Sequence, residues 1–134
     1  MRRSNAIRVS VLALVVVLAV EGTALAASYT EPTRLSLGRR PTGLVDPGTK
    51  IRFFGRLNSP RPACERNKVI ALIRVGRGVV ALTRTNSLGR YRFQRRVSRT
   101  SRFRTRFQGT ARGVHPNIKV CLASTSRTIT VRVR

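Results

Sequence analysis

In several stretches of this chain arginine recurs at every second position between apolar residues, and that period decides what the chain can fold into. Arg102-Phe103-Arg104-Thr105-Arg106-Phe107 and Ile129-Thr130-Val131-Arg132-Val133-Arg134 both alternate polar with apolar residues. A period of two sends successive side chains to opposite faces of a β-strand, so one face is apolar and the other carries the charge. The formal net charge is +24, yet 41% of the residues are hydrophobic. A disordered basic tail has low hydrophobicity and no period. The charge is therefore expected on a folded sheet.

The N-terminus has the three parts of a secretory signal: a basic start (Arg2, Arg3, Arg8), an apolar run from Val11 to Val20, and the small residues of Ala24-Leu25-Ala26. This predicts a signal peptide over 1–26, a polar lead-in over 27–32 and one β-domain over 33–134. The alternative is an uncleaved membrane anchor, for which the apolar run is short against the roughly 20 residues a span needs. Glu21 also interrupts it. Arg2-Arg3 is not followed by the rest of a twin-arginine signal, so general secretion is expected. Without a cysteine beside the cleavage region, a lipoprotein is not expected, nor is a membrane span after cleavage. The protein is thus predicted to be secreted, extracellular or associated with the cell wall.

Removal of 1–26 takes away three basic residues and Glu21, so nearly all of the 28 basic residues and three of the four acidic ones remain. Lysine occurs only at Lys50, Lys68 and Lys119. Part of the preference for arginine over lysine can be genomic, so the sign of the charge carries more than the residue type. Two cysteines, Cys64 and Cys121, lie in a chain bound for an oxidising compartment and have a single way to pair. Closing so long a loop stabilises the fold by roughly 4 kcal/mol on the chain-entropy estimate.

Strand-like runs are expected at 34–37, 50–57, 68–75, 79–85, 90–97, 102–108, 119–123 and 128–134. Loops and turns are expected at 39–48, 58–64, 86–89, 98–101 and 109–117, where Pro, Gly and Asn gather. In 50–57, Ile51, Phe53, Gly55 and Leu57 share one face while Lys50, Arg52 and Arg56 share the other; Phe54 breaks the pattern. The run Val69-Ile70-Ala71-Leu72-Ile73 is expected to be covered on much of both faces. Such short strands without a competing helical period predict an all-β fold, an antiparallel β-sandwich of about seven strands.

Phe53-Phe54-Gly55-Arg56-Leu57, Val69-Ile70-Ala71-Leu72, Thr85-Asn86-Ser87-Leu88-Gly89-Arg90-Tyr91-Arg92-Phe93 and Phe103-Arg104-Thr105-Arg106-Phe107 together resemble bacterial extracellular immunoglobulin-like domains, especially modules of secreted actinobacterial proteins. The Thr-x-x-x-Gly-x-Tyr-x-Phe portion is similar to carboxypeptidase-regulatory or transthyretin-like domains. The resemblance spans about 33–134 and implies a structural or binding module, immunoglobulin-like or transthyretin-like, with no catalytic residue to transfer. Antibody-type hallmarks differ: there is no Trp, and Cys64 falls in a loop.

Catalytic chemistry has few candidates, and no enzyme activity, cofactor or metal is expected. His115 is the one histidine, and the acids after residue 26 are Glu31, Asp46 and Glu65. Asp46 in Asp-Pro-Gly reads as turn chemistry rather than as a triad member, no nucleophile elbow is present, and no Gly-rich phosphate loop occurs. Anion binding has a firmer basis. In the immunoglobulin-like strand order the runs at 68–75, 102–108 and 128–134 share a sheet. Its outer face is expected to gather Arg74, Arg102, Arg104, Arg106, Arg132 and Arg134, and the opposite sheet to show Arg52, Arg56, Arg90, Arg92 and Arg96.

The expected partner is an anionic polymer of the cell envelope or extracellular space, held through guanidinium contacts to phosphate, sulfate or carboxylate. One alternative is a structural or protein-interaction module whose charge is only solubilising. Another is a non-specific nucleic-acid binder, because such charge attracts DNA at any sequence. Specific nucleic-acid recognition is not expected: Phe53, Tyr91, Phe93, Phe103 and Phe107 have core parity, leaving Phe54 and Tyr29 to stack on bases.

Overall fold

The computed structural model describes residues 28–134; the signal-peptide reading of 1–26 lies outside them. Twelve strands and one 3₁₀ turn follow in order: β1 (Tyr29–Glu31), β2 (Arg34–Leu35), β3 (Gly38–Arg40), β4 (Thr49–Asn58), the turn Pro62–Cys64, β5 (Val69–Arg74) and β6 (Gly78–Arg84). Then come β7 (Arg90–Val97), β8 (Ser101–Phe107), β9 (Thr110–Arg112), β10 (Lys119–Cys121), β11 (Ser124–Thr125) and β12 (Ile129–Val131).

The fold is all-β. One sheet has β4 at its centre, with β2 and β3 on one side and β7 on the other. The second runs β11-β8-β5-β6, with β12 beside β11 on the same side of β8. All of these pairings are antiparallel. The 68–75, 102–108 and 128–134 runs thus share a sheet, as expected.

The inner faces close on one core. Ile51, Phe53 and Leu57 of β4 and Tyr91, Phe93 and Val97 of β7 meet Ile70 and Leu72 of β5 and Phe103 and Phe107 of β8. Phe53 and Phe103 meet across the gap as a tilted pair, ring centroids 4.9 Å apart. Burying such a side chain stabilises the fold by about 1.5–3 kcal/mol. One polar link crosses the same core: the Tyr91 hydroxyl, donating to the Ser36 carbonyl, also sits 2.8 Å from Thr105 Oγ1. Burial in this core pushes the Tyr91 hydroxyl pKa up to about 12, because the phenolate would lose its water; the Thr105 hydrogen bond opposes the rise.

The turn into β7 follows from Asn86 and Gly89. Asn86 Oδ1 accepts from the Leu88 and Arg90 amides, at 2.9 and 3.0 Å. Gly89 takes φ +77°, and a Cβ there would sit 2.4 Å from the Leu57 carbonyl oxygen.

Several strands lie where loops were expected. The lead-in supplies β1, which pairs in parallel with β10, and the 109–117 loop supplies β9 on the other side of β10. The 39–48 crossing begins inside β3, paired to β4. These pieces are each three residues long, too short to show a period, and exist because a neighbour offers unpaired amides and carbonyls. The Cys64–Cys121 disulfide forms as expected. It joins the 3₁₀ turn after β4 to the end of β10, so it fastens this small third sheet to the sandwich. Both cysteines are buried in the core.

Candidate basic surface

Register fixes which cations meet. On the outer face of the β4 sheet, cross-strand pairing sets Lys50 opposite Arg96, Arg56 opposite Arg90, and Arg40 opposite Arg52. Three like-charged pairs are thus directly opposed on one exposed face. Directly opposed like charges are destabilising, by roughly 0.2–1 kcal/mol each, the lower end applying where water screens them. Arg92 pairs with Phe54 in the midst of this lattice.

Phe54 belongs to the outer face and is 41% exposed. Its ring covers Gly38 on β3, directly opposite in register; a Cβ on Gly38 would lie 3.0 Å from the ring. The ring fills the gap a glycine leaves in a sheet surface. The guanidinium of Arg40 stands 5.7 Å from the ring centroid, and that of Arg61 lies 3.7 Å from the centroid of Tyr29. Both aromatic rings left over from the core therefore already carry an arginine.

The second sheet is built differently from what its sequence predicts. Arg102, Arg104 and Arg106 of β8 do form an exposed row, but their cross-strand neighbours are Thr130, Ile73, Ala71 and Thr125, none of them charged. Beyond them on β6, Val79 and Leu82 are exposed aliphatic residues. Arg132 has the outward parity of Thr130 and is exposed. Arg134 does not join the row as a free cation, because its Nε lies 3.1 Å from Asp46 Oδ1.

Arg74 does not belong to this face at all. It pairs with Phe103, so by register it shares the inner face with Leu72 and Phe103 and emerges at the end of the sandwich. The strand passes from buried aliphatics to arginine without losing its period, so the parity was legible, but continuous hydrophobicity in 69–73 hid which face was inner. Arg95 is masked in the sequence for the complementary reason. Tyr91, Phe93 and Val97 are buried on the inner face of β7, and Arg95 completes that series opposite the buried Ile51. Its Nη1 crosses to the other sheet and donates to the Val80 carbonyl at 2.8 Å.

Few acids offset this charge. Glu31 lies 3.6 Å from Arg61, Glu65 lies 3.6 Å from Arg56, and Asp46 is taken by Arg134. Asp46 also serves its turn, its carbonyl accepting from the Thr49 hydroxyl at 2.6 Å. Lys68 has its pKa lowered, chiefly by partial burial and then by the nearby charge of Arg112. Among the described residues no cluster of three His, Cys, Asp or Glu side chains could hold a metal ion, and no helix is long and apolar enough to cross a membrane. Neither a family model nor a curated protein matches the chain.

Proposed function

We propose that this chain is an exported, non-enzymatic, immunoglobulin-like module that associates with anionic polymers of the cell envelope or extracellular space through the outer face of its β4 sheet. The observation that carries this reading is the set of three directly opposed like-charged pairs on that face, Lys50 with Arg96, Arg56 with Arg90 and Arg40 with Arg52. Neutral residues at these positions would remove the repulsion at no cost to the core, whereas a polyanion relieves it and adds charge-assisted contacts. The β8 row, Arg102, Arg104 and Arg106, supplies a second, narrower basic face on the opposite side.

The partner is read as a polymer without base sequence. Non-specific affinity for nucleic acid follows from the charge, but stacking would require Phe54 and Tyr29 to give up the arginines that cover them. A purely structural role through an edge strand is the competing reading, favoured by the exposed Val79 and Leu82 on β6.

Retention on an immobilised phosphate polymer, measured against salt, separates these readings. Polyanion binding gives steeply salt-dependent retention that persists at physiological salt, a thermal shift with the soluble polymer, and loss of both in Arg52→Glu/Arg90→Glu/Arg92→Glu. Elution below physiological salt with no thermal shift would overturn the proposal. Fractionation of the expressed protein between wall, membrane and medium, with a salt wash of each, tests the export and envelope reading.

A further inference from the structure

By register Arg39, Arg74 and Arg95 take inner-face positions, opposite Phe53, Phe103 and Ile51; Arg39 is engaged by the Pro41 and Gly43 carbonyls, which leaves Arg74 and Arg95, one on each sheet. Arg74 is half-buried and Arg95 exposed, and a guanidinium in either position is best matched by a carboxylate. Neither has one in an ion pair; the described acids are taken by Arg56, Arg61 and Arg134. Instead the two line a common cleft of about 260 Å³ where the β5–β6 turn meets the end of β7, together with Arg77 of that turn and Arg99 of the β7–β8 connection. No acidic residue lines it.

The cleft has a built rather than accidental geometry. The pairing of β5 with β6 slips by one residue between Leu72 and Ile73, leaving Val80 as the bulged residue. Bulges re-aim side chains and backbone beside functional sites. Here the Val80 carbonyl accepts from Arg95 Nη1, which holds that guanidinium across the gap between the sheets. Such a fork, fixed at one corner, loses less conformational freedom when its remaining donors take up a ligand.

We propose that this cleft is a discrete site for a tetrahedral oxyanion, a phosphate or sulfate group, meeting the diffuse basic face of the β4 sheet at Arg96, which belongs to both. Arginines arriving from β5, the β5–β6 turn, β7 and the β7–β8 connection approach from different directions. A tetrahedral dianion offers oxygens along each of them, whereas a carboxylate offers two oxygens in one plane and half the charge. Arg74 and Arg77 also line an adjoining depression with Arg102 and Thr130, so the site has an outlet along which the rest of a phosphorylated polymer can leave. The inference goes beyond the binding face and does not depend on it.

Calorimetric and thermal-shift titrations with inorganic phosphate, at ionic strength held constant with chloride, test the site. Saturable binding of one phosphate per chain is expected, weakened at least tenfold in Arg74→Gln/Arg95→Gln and by less than twofold in Arg52→Gln/Arg90→Gln. Arg77→Gln, on an exposed turn outside the core, is expected to weaken it at least threefold and serves if the double variant does not fold. A phosphomonoester-ended oligomer binding as tightly as free phosphate identifies the polymer end as ligand; markedly weaker binding identifies the free ion, and either keeps the site. Absence of saturation at constant ionic strength, or equal binding by the cleft variants, overturns it. Loss of polymer retention in the face variants with phosphate saturation intact would sink nothing here, since it assigns the polymer to the face and the small anion to the cleft.

Discussion

If the opposed cations on the β4 sheet are a stored repulsion, removing one member of each type of contact should make the protein more stable and a poorer binder at once. Lys50, Arg52 and Arg90 are the informative choices. Each is directly opposite a cation, Arg96, Arg40 and Arg56 respectively. Their partners in two of these contacts do other work: Arg56 donates to the Leu88 carbonyl at 3.0 Å and pairs with Glu65, and Arg96 donates to the Gly48 carbonyl at 3.0 Å. Lys50→Gln/Arg52→Gln/Arg90→Gln keeps those links and the aliphatic stems while removing three charges. Three contacts at roughly 0.2–1 kcal/mol each give a gain between about 0.6 and 3 kcal/mol. Exposure places the expected value toward the lower end.

Denaturant unfolding at low salt should read this gain as a rise in midpoint without a change in slope. At about 1 M salt, where the screening length falls to roughly 3 Å, the gain should largely vanish. Binding to a phosphate polymer should weaken, and the slope of log K against log salt should fall by about two to three, each lost cation releasing roughly 0.7–0.9 fewer counterions. A variant no more stable than the parent at low salt, or equally stabilised at both salts, would refute the repulsion. An unchanged salt slope would refute its link to binding.

Gly55→Ala should be severely destabilising, by about 3 kcal/mol or more, because the new Cβ would stand 2.0 Å from the Ser36 carbonyl oxygen and 2.5 Å from Tyr91 Oη; Gly38→Ala, which meets only the movable Phe54 ring, should cost far less in the same thermal melts. Cys64→Ser/Cys121→Ser, opening a link that spans 57 positions, should lower stability by roughly 4 kcal/mol, and hydrogen exchange should speed first in β1, β9 and β10. Tyr91 should make stability fall at alkaline pH: its pKa is raised in the folded protein, so its contribution is full below the ordinary value near 10 and is lost as pH rises through that value to about 12, an effect of roughly 2.7 kcal/mol at two units. Tyr91→Phe should show no such fall relative to the parent, at the cost of leaving Ser36 and Thr105 without their hydroxyl partner, about 1–3 kcal/mol in neutral buffer.

The residues that face the core and those that face water were legible wherever a period of two ran for more than five residues. Phe103, Thr105 and Phe107 are buried and Arg102, Arg104 and Arg106 exposed, because alternation by itself assigns faces to a strand. The all-β class and the pairing of Cys64 with Cys121 also follow from the chain alone, the first from turn spacing and the second from there being two cysteines. Short strands such as β1 and β9 were invisible, since two or three residues carry no period and form only because β10 presents a free edge.

Sequence could say that arginines lie on strand faces but not which arginines meet. That depends on register, a property of two strands together. Register opposes Lys50 to Arg96 and Arg56 to Arg90, yet places threonine and aliphatic neighbours beside Arg102, Arg104 and Arg106. It also turns Arg74 inward and binds Arg134 to Asp46. The single chain thus determined its alternation and its charge, while the packing of one sheet on the other decided where that charge is dense and where two facing strands bring Arg74 and Arg95 to one cleft.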